Sequence, residues 1–384
     1  MDFFSRFSRF ACSRWLDPKA ALAAGIVMGT LAFAIFFGSR GFANFDSALV
    51  GYTFACLFST FGIAYRYAVW LQKPPTRMYW RRSVDLFFSP KLWRDLRAPF
   101  IFSKAVWSKL LWQDFILKRG FMRWAGHMAI AWGCLIASAI TFPLVFGWLH
   151  FESVSEASDP TFKVVAFGFE TLPLRVNGWF GWTILHGLVI ASLLVIPGVM
   201  IAMHRRLVHE GAVAVQRLSR DLLPLVLLFL VSFTGLMLWV SYEFMDGYFY
   251  SVMAQIHAFS VIGTLLYLPF GKLFHIFQRP ASIGISYYRY AGKKEGMQVC
   301  PITQDEFCSK MQMRDLTQVV KEVGFNYALS SEANKGGSSR INPETSSWNQ
   351  ISPQGKRVLI GRAHSRLLNG HFSKPLTKSQ GEIH

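Results

Sequence analysis

The sequence predicts an all-α polytopic membrane bundle of about six transmembrane helices, with a cytoplasmic interfacial loop and a mostly irregular C-terminal tail. Three observations predict it. Only 16% of the 384 residues are charged, against about 25% in a soluble domain. Six stretches reach the roughly 20 mostly apolar residues that a spanning helix needs. The loops between them alternate in charge, as the loops on opposite sides of a membrane do.

The six spans are approximately Ala20–Gly38, Ser47–Leu71, Phe121–Leu149, Trp179–Met203, Leu222–Tyr242 and Tyr248–His275. The first follows a short basic segment, but its apolar run is long and no small-residue cleavage site follows. It is therefore expected as an uncleaved span. Residues 73–123 carry twelve Lys/Arg against three acids, and 204–221 carry four against two. Residues 150–178 instead hold four acids against Lys163 and Arg175, and 241–249 hold Glu243 and Asp246 with no base. The basic loops and both termini are expected to be cytoplasmic, in a bacterial-type inner membrane. The net charge of +18 is thus accounted for by topology, and no nucleic-acid partner is expected.

Four regions are expected: two N-terminal spans (1–72), a basic Trp-rich amphipathic loop (73–120), a four-helix bundle (121–277) and a cytoplasmic docking tail (278–384). In the loop, Ser103–Leu117 places Val106, Trp107, Leu110, Leu111 and Phe115 at helical spacing. That pattern suits a helix lying on anionic headgroups, or a platform for a partner. Trp80, Trp93 and Trp112 add aromatic anchors. In the tail, Met311–Val323 is expected as an amphipathic helix, Ser330–Ser347 as a flexible linker and Ser352–Leu368 as a short helix. Cys300 and Cys308 form a C-x7-C pair. Two thiols make a weak metal signal unless His364 and His371 complete a site, so they are read as unpaired thiols.

Ionisable side chains within spans are costly and mark functional positions. Here they are His127, His186, His257 and His275, with His204 at the end of the fourth span. His186 and His204 are eighteen positions apart, as are His257 and His275. Eighteen residues make five turns and about 27 Å of rise, so each pair is expected on one helix face at two depths. Facing imidazoles at two depths suit bis-histidine ligation of two stacked haems. A lone membrane histidine equally serves as a packing residue or a proton relay, and His204, beside Arg205 and Arg206, also reads as an interfacial base. Gly126, Gly133, Gly263 and Gly271 suit either close approach of a porphyrin or helix contacts. Arg123, Arg205 and Lys272 lie at a depth that suits haem propionates.

The stretches FMRWAGHMAIAWGC and IHAFSVIGTLLYLPFGKLFHIFQRP resemble the gamma subunit of respiratory nitrate reductases and related membrane cytochromes of the tricarballylate-utilisation type. The resemblance covers Phe121–Pro280. It implies a b-type cytochrome that exchanges electrons between membrane quinone and a cytoplasmic iron–sulfur subunit, with the substrate chemistry in a separate catalytic subunit. It pairs His127 with His275 at an inner haem b and makes His257 a ligand of an outer one, while His204 is the alternative inner ligand from the eighteen-residue repeat. The family places a second histidine deeper on the helix of His127, and Met128–Leu149 has none. His186 is our candidate for that place. Two other classes compete: a haem-free quinone-binding membrane anchor and a proton-coupled transporter. The transporter reading lacks paired broken-helix signals and intramembrane carboxylates.

Overall fold

The computed structural model describes residues 17–90, 94–95, 97–154, 161–208, 217–300, 302–324, 353–354 and 356. The linker and second helix expected at 330–347 and 352–368 fall almost wholly outside the described residues, as do Trp93, His209, His364 and His371. The chain divides into two compact units. One comprises residues up to Leu71 with Ser103–Ile283, the other Gln72–Phe102 with Gly284 onward. The second unit therefore joins part of the expected basic loop to the expected tail.

In the first unit, helix α1 (Pro18–Gly38) starts on Asp17, whose carboxylate accepts the Ala20 N–H at 2.9 Å, with Pro18 at the first helical position. Both are start signals, because the first-turn N–H groups have no partner within the helix. Helix α2 (Val50–Gln72) follows. In the second unit lies α3 (Pro74–Phe87). Helix α4 (Ala98–Val106) runs on through a π turn at Trp107–Leu111. The amphipathic helix expected over Ser103–Leu117 thus starts earlier and stops at Gln113, whose φ of 55° ends it.

Among the described residues, five helices are long and apolar enough to cross a membrane, and up to six if one bent pair is a single span. The molecule is a helical multi-pass membrane protein. The remaining long helices are α5 (Phe121–Val145), α7 (Gly187–Val208), α8 (Leu223–Phe244) and α9 (Tyr250–Tyr267). A short α6 (Trp179–Leu185) precedes α7, so the fourth expected span is interrupted at His186. Backbone bonding nevertheless continues through the interruption, from His186 N to Trp182 O and from Ile190 N to His186 O.

Packing in the bundle runs sequentially: α5 lies along α7, α7 along α8, and α8 along α9. The α5–α7 seam is closed by small residues. A Cβ on Gly126 would stand 3.0 Å from Ile201, and one on Gly198 would stand 2.8 Å from the Gly126 carbonyl. Without a hydrophobic force between helices in lipid, such close backbone approach supplies the association. These two glycines and Gly133, which faces Val195 and Ala191, are helix contacts rather than porphyrin seats. Gly271 meets the Tyr267 ring, and Gly263 alone of the four candidate glycines faces open space.

The all-α expectation is corrected between α5 and α6. Strands β1 (Leu149–Val154), β2 (Thr161–Ala166) and β3 (Phe169–Arg175) form an antiparallel sheet. The β2–β3 turn is the pair Phe167 and Gly168, with φ of 52° and 77°. Two positive-φ residues give the turn whose twist matches paired strands.

The described part of the tail, up to Gly324, is regular. Helix α11 (Ala281–Glu295) follows a single turn, α10 (His275–Gln278). A hairpin of β4 (Met297–Val299) and β5 (Glu306–Ser309) then leads to α12 (Lys310–Val323). Within the second unit, Asp315 is 2% exposed and accepts from Arg82 and from the Tyr288 hydroxyl, each at 2.8 Å. Burial and that carboxylate push the Tyr288 phenol well above its ordinary pKa.

Candidate functional site

Two histidines from distant parts of the chain meet in the first unit. His127 lies in the second turn of α5, one position round the helix from Gly126 and so on the flank of the α7 seam. His275 opens α10. Their ring centroids are 6.3 Å apart with the planes at 66°.

His275 arrives there by a break. Helix α9 stops at Tyr267, and the segment Lys272–Gln278 turns from it by 68°. Pro269 has no N–H to continue the helix, and Lys272–Phe274 form a 3-10 turn. The expectation that His257 and His275 share one straight helix face is therefore overturned.

The break is gripped from two sides. From α2, Arg66 donates one Nη1 to the carbonyls of Pro269 (2.7 Å) and Gly271 (3.1 Å), and its guanidinium lies 4.3 Å from the Phe274 ring centroid. Ser59 on the same helix bonds the Leu265 carbonyl. From the segment before α8, the Ser219 carbonyl accepts the Tyr267 hydroxyl at 2.6 Å. Asp221, 9% exposed, pairs with Lys272, lies 3.3 Å from Arg206, and accepts the Arg217 N–H at 2.8 Å. Those donors hold its carboxyl down at a pKa of about 2, the Lys272 bond contributing most.

The ring nitrogens then have distinct environments. His275 Nδ1 is 2.7 Å from the Lys272 carbonyl, which leaves Nε2 as its free ligand atom. His127 Nδ1 is buried with no hydrogen-bond partner among the described residues. An imidazole nitrogen sits about 2.0 Å from a bound transition metal and the ring centroid roughly an ångström further back, so trans rings stand about 6 Å apart. The observed 6.3 Å matches that spacing, and the donor chemistry of two imidazoles fits a haem iron.

The surrounding charge is positive. Arg279 lies within electrostatic reach of His127, and 4.3 Å from the Phe115 ring centroid. Arg205 feels both Arg123 and Arg206. Of the three expected propionate partners, Lys272 is committed to Asp221, whereas Arg123 is exposed and Arg205 half-buried. His204 is exposed near the end of α7.

The other two histidines are not brought together: among the described residues no ring contact joins His186 to His257. His186 stacks on Trp182 at 4.4 Å, with Nδ1 2.9 Å from the Trp182 carbonyl. His257 packs against α8, where Thr234 Oγ1 lies 2.9 Å from its Nδ1. A side chain on Gly235 would come within 3.1 Å of that ring. Cys300 and Cys308 fall on the β4–β5 hairpin, where the Cys300 N–H donates to the Asp305 carbonyl at 2.9 Å. No group of three or more metal-ligating side chains occurs among the described residues.

Sequence reasoning missed Arg66, Asp221 and Thr234. The signal for Arg66 was an arginine inside an otherwise apolar span. Comparison with known protein families, with curated proteins and with solved structures finds no match.

Proposed function

We propose that the chain is the b-type cytochrome subunit of a quinone-linked oxidoreductase complex, binding haem b between His127 and His275. The observation that carries this reading is the 6.3 Å separation of the two rings, reached from helices distant in sequence. The likeness of FMRWAGHMAIAWGC and LPFGKLFH to nitrate reductase gamma subunits supports it.

In this reading His127 and His275 would hold the iron, and the Lys272 carbonyl would fix the His275 tautomer. Arg123 and Arg205 offer guanidinium groups to the propionates. The bound group supplies a one-electron Fe(III)/Fe(II) couple. The excess of Arg and Lys in 73–123 and 204–221 supports a cytoplasmic position for that end of the bundle. An iron–sulfur partner, with a catalytic subunit behind it, would dock there and exchange electrons with membrane quinone through this subunit. The proposal is limited to one haem, because among the described residues no ring contact joins His186 and His257.

A dithionite-reduced-minus-oxidised spectrum of the purified protein tests it. The expected result is a b-type alpha band that His127→Ala and His275→Ala each abolish. Absence of the band in the intact protein overturns the reading.

A further inference from the structure

We propose that Arg66, on α2 and outside the resembling region, is a positioning residue for the His127–His275 pair. A straight continuation of α9 would leave His275 on the face of His257, which is what the eighteen-residue spacing predicts. The 68° break instead carries it to His127. Pro269 explains why the helix stops, but a missing N–H does not choose the direction in which the chain leaves.

Arg66 supplies that direction. A helix end leaves its last carbonyls without partners, which within a membrane is tolerated only where other groups satisfy them. Arg66 bonds two carbonyls of the break, at Pro269 and Gly271, and covers the ring of Phe274, the neighbour of His275. One guanidinium thus holds both limbs of the turn. An arginine within an apolar span is costly unless so engaged. Asp221 completes the grip from the opposite side through Lys272, whose carbonyl orients the His275 ring. Gly62, one turn from Arg66, lets α2 approach closely: a Cβ there would stand 2.7 Å from Pro269.

The haem arm of the test rests on the proposed function, so the first arm does without haem. In the full-length chain with its five native cysteines replaced, His127→Cys and His275→Cys are joined by a short thiol-to-thiol crosslinker in membranes. Efficient crosslinking is expected with Arg66 present, and a several-fold loss with Arg66→Gln. Arg66→Lys keeps the charge but not the planar fork, and is expected to recover part of the yield. Equal yields in all three backgrounds overturn the proposal. If Arg66→Gln does not accumulate, the comparison of Arg66→Lys with the parent decides: unchanged crosslinking overturns the proposal, and a loss supports it. The second arm uses the otherwise native protein, where Arg66→Gln is expected to shift the low-spin ferric EPR signal and Arg66→Lys to return it towards the parent. A crosslink that depends on Arg66 in a protein without any haem signal would sink the cytochrome reading and leave the role of Arg66 intact.

Discussion

Gly62 and Pro269 meet so closely that a Cβ on the glycine would stand 2.7 Å from the proline Cβ and 2.8 Å from its Cγ. The proline ring is rigid and sits at the break between α9 and the turn carrying His275, so it cannot swing aside as a flexible side chain would. Overpacking of this kind costs about 1–3 kcal/mol. Gly62→Val is expected to lower the thermal midpoint in detergent, and to reduce the crosslinking of cysteines placed at 127 and 275. A variant with unchanged midpoint and crosslinking would show that α2 does not seat the break.

The four histidines and His204 separate by spectroscopy. His127→Ala and His275→Ala are each expected to remove the reduced alpha band. His204→Ala is expected to retain it, because His204 is exposed and the ring partner of His275 is His127. His186→Ala and His257→Ala are expected to retain it too, since each ring is engaged elsewhere, with Trp182 and Thr234. A band that survives His127→Ala unchanged, or is lost in His257→Ala alone, would reassign the ligands.

These contrasts also mark what the sequence could convey. The spans were legible because lipid demands a long apolar run whatever the neighbouring helices do. The His127–His275 pairing is legible from the resemblance and from the shared depth of the two residues; periodicity puts His275 on the face of His257. The periodicity holds only for a straight helix through Leu268–Lys272, whereas Pro269 and Gly271 within three residues are a breaker signal. The direction of the resulting turn was not legible at all, since it depends on Arg66, 203 residues before Pro269, and on Asp221, 51 residues before Lys272. The sheet at Leu149–Arg175 hid behind its acidic content, which was read only for topology. Its turn signal, Phe167-Gly168, is weaker than the Asn-Gly or Asp-Gly pairs that announce a hairpin.

Asp221 gives the break a defined response to acid. Its native pKa is depressed to about 2 by Lys272, the Arg217 N–H and Arg206, below the value of about 3.9 for an unperturbed aspartate. A depressed carboxyl stabilises the folded state fully above the unfolded pKa, and that contribution is lost as pH falls through the folded one. The latch between Lys272 and the segment before α8 is therefore expected to hold at neutral pH and to weaken progressively between about pH 4 and pH 2. Thiol labelling against pH of Leu273→Cys, at a position buried beside Lys272, in a background without native cysteines, reads the opening. Asp221→Asn should abolish the step within that window, and an identical profile in the variant would assign the acid transition to another group.

In the second unit, the buried carboxylate of Asp315 is expected to matter more for what it leaves behind than for its own charge. Arg82 is 44% exposed along its side chain, so it can turn to water if the partner is lost, and the ion pair itself contributes modestly. Tyr288 is 1% exposed and donates its hydroxyl to Asp315 at 2.8 Å. Asp315→Ala would strand that donor, and a buried polar group without a partner costs about 1–3 kcal/mol. Removing both partners with Asp315→Ala and Tyr288→Phe is expected to recover part of the loss, since no unpaired hydroxyl remains. Thermal unfolding of the single and double variants measures the difference. If the double variant is less stable than Asp315→Ala by the full cost of Tyr288→Phe alone, the two side chains are uncoupled and the hydrogen bond carries no net stability.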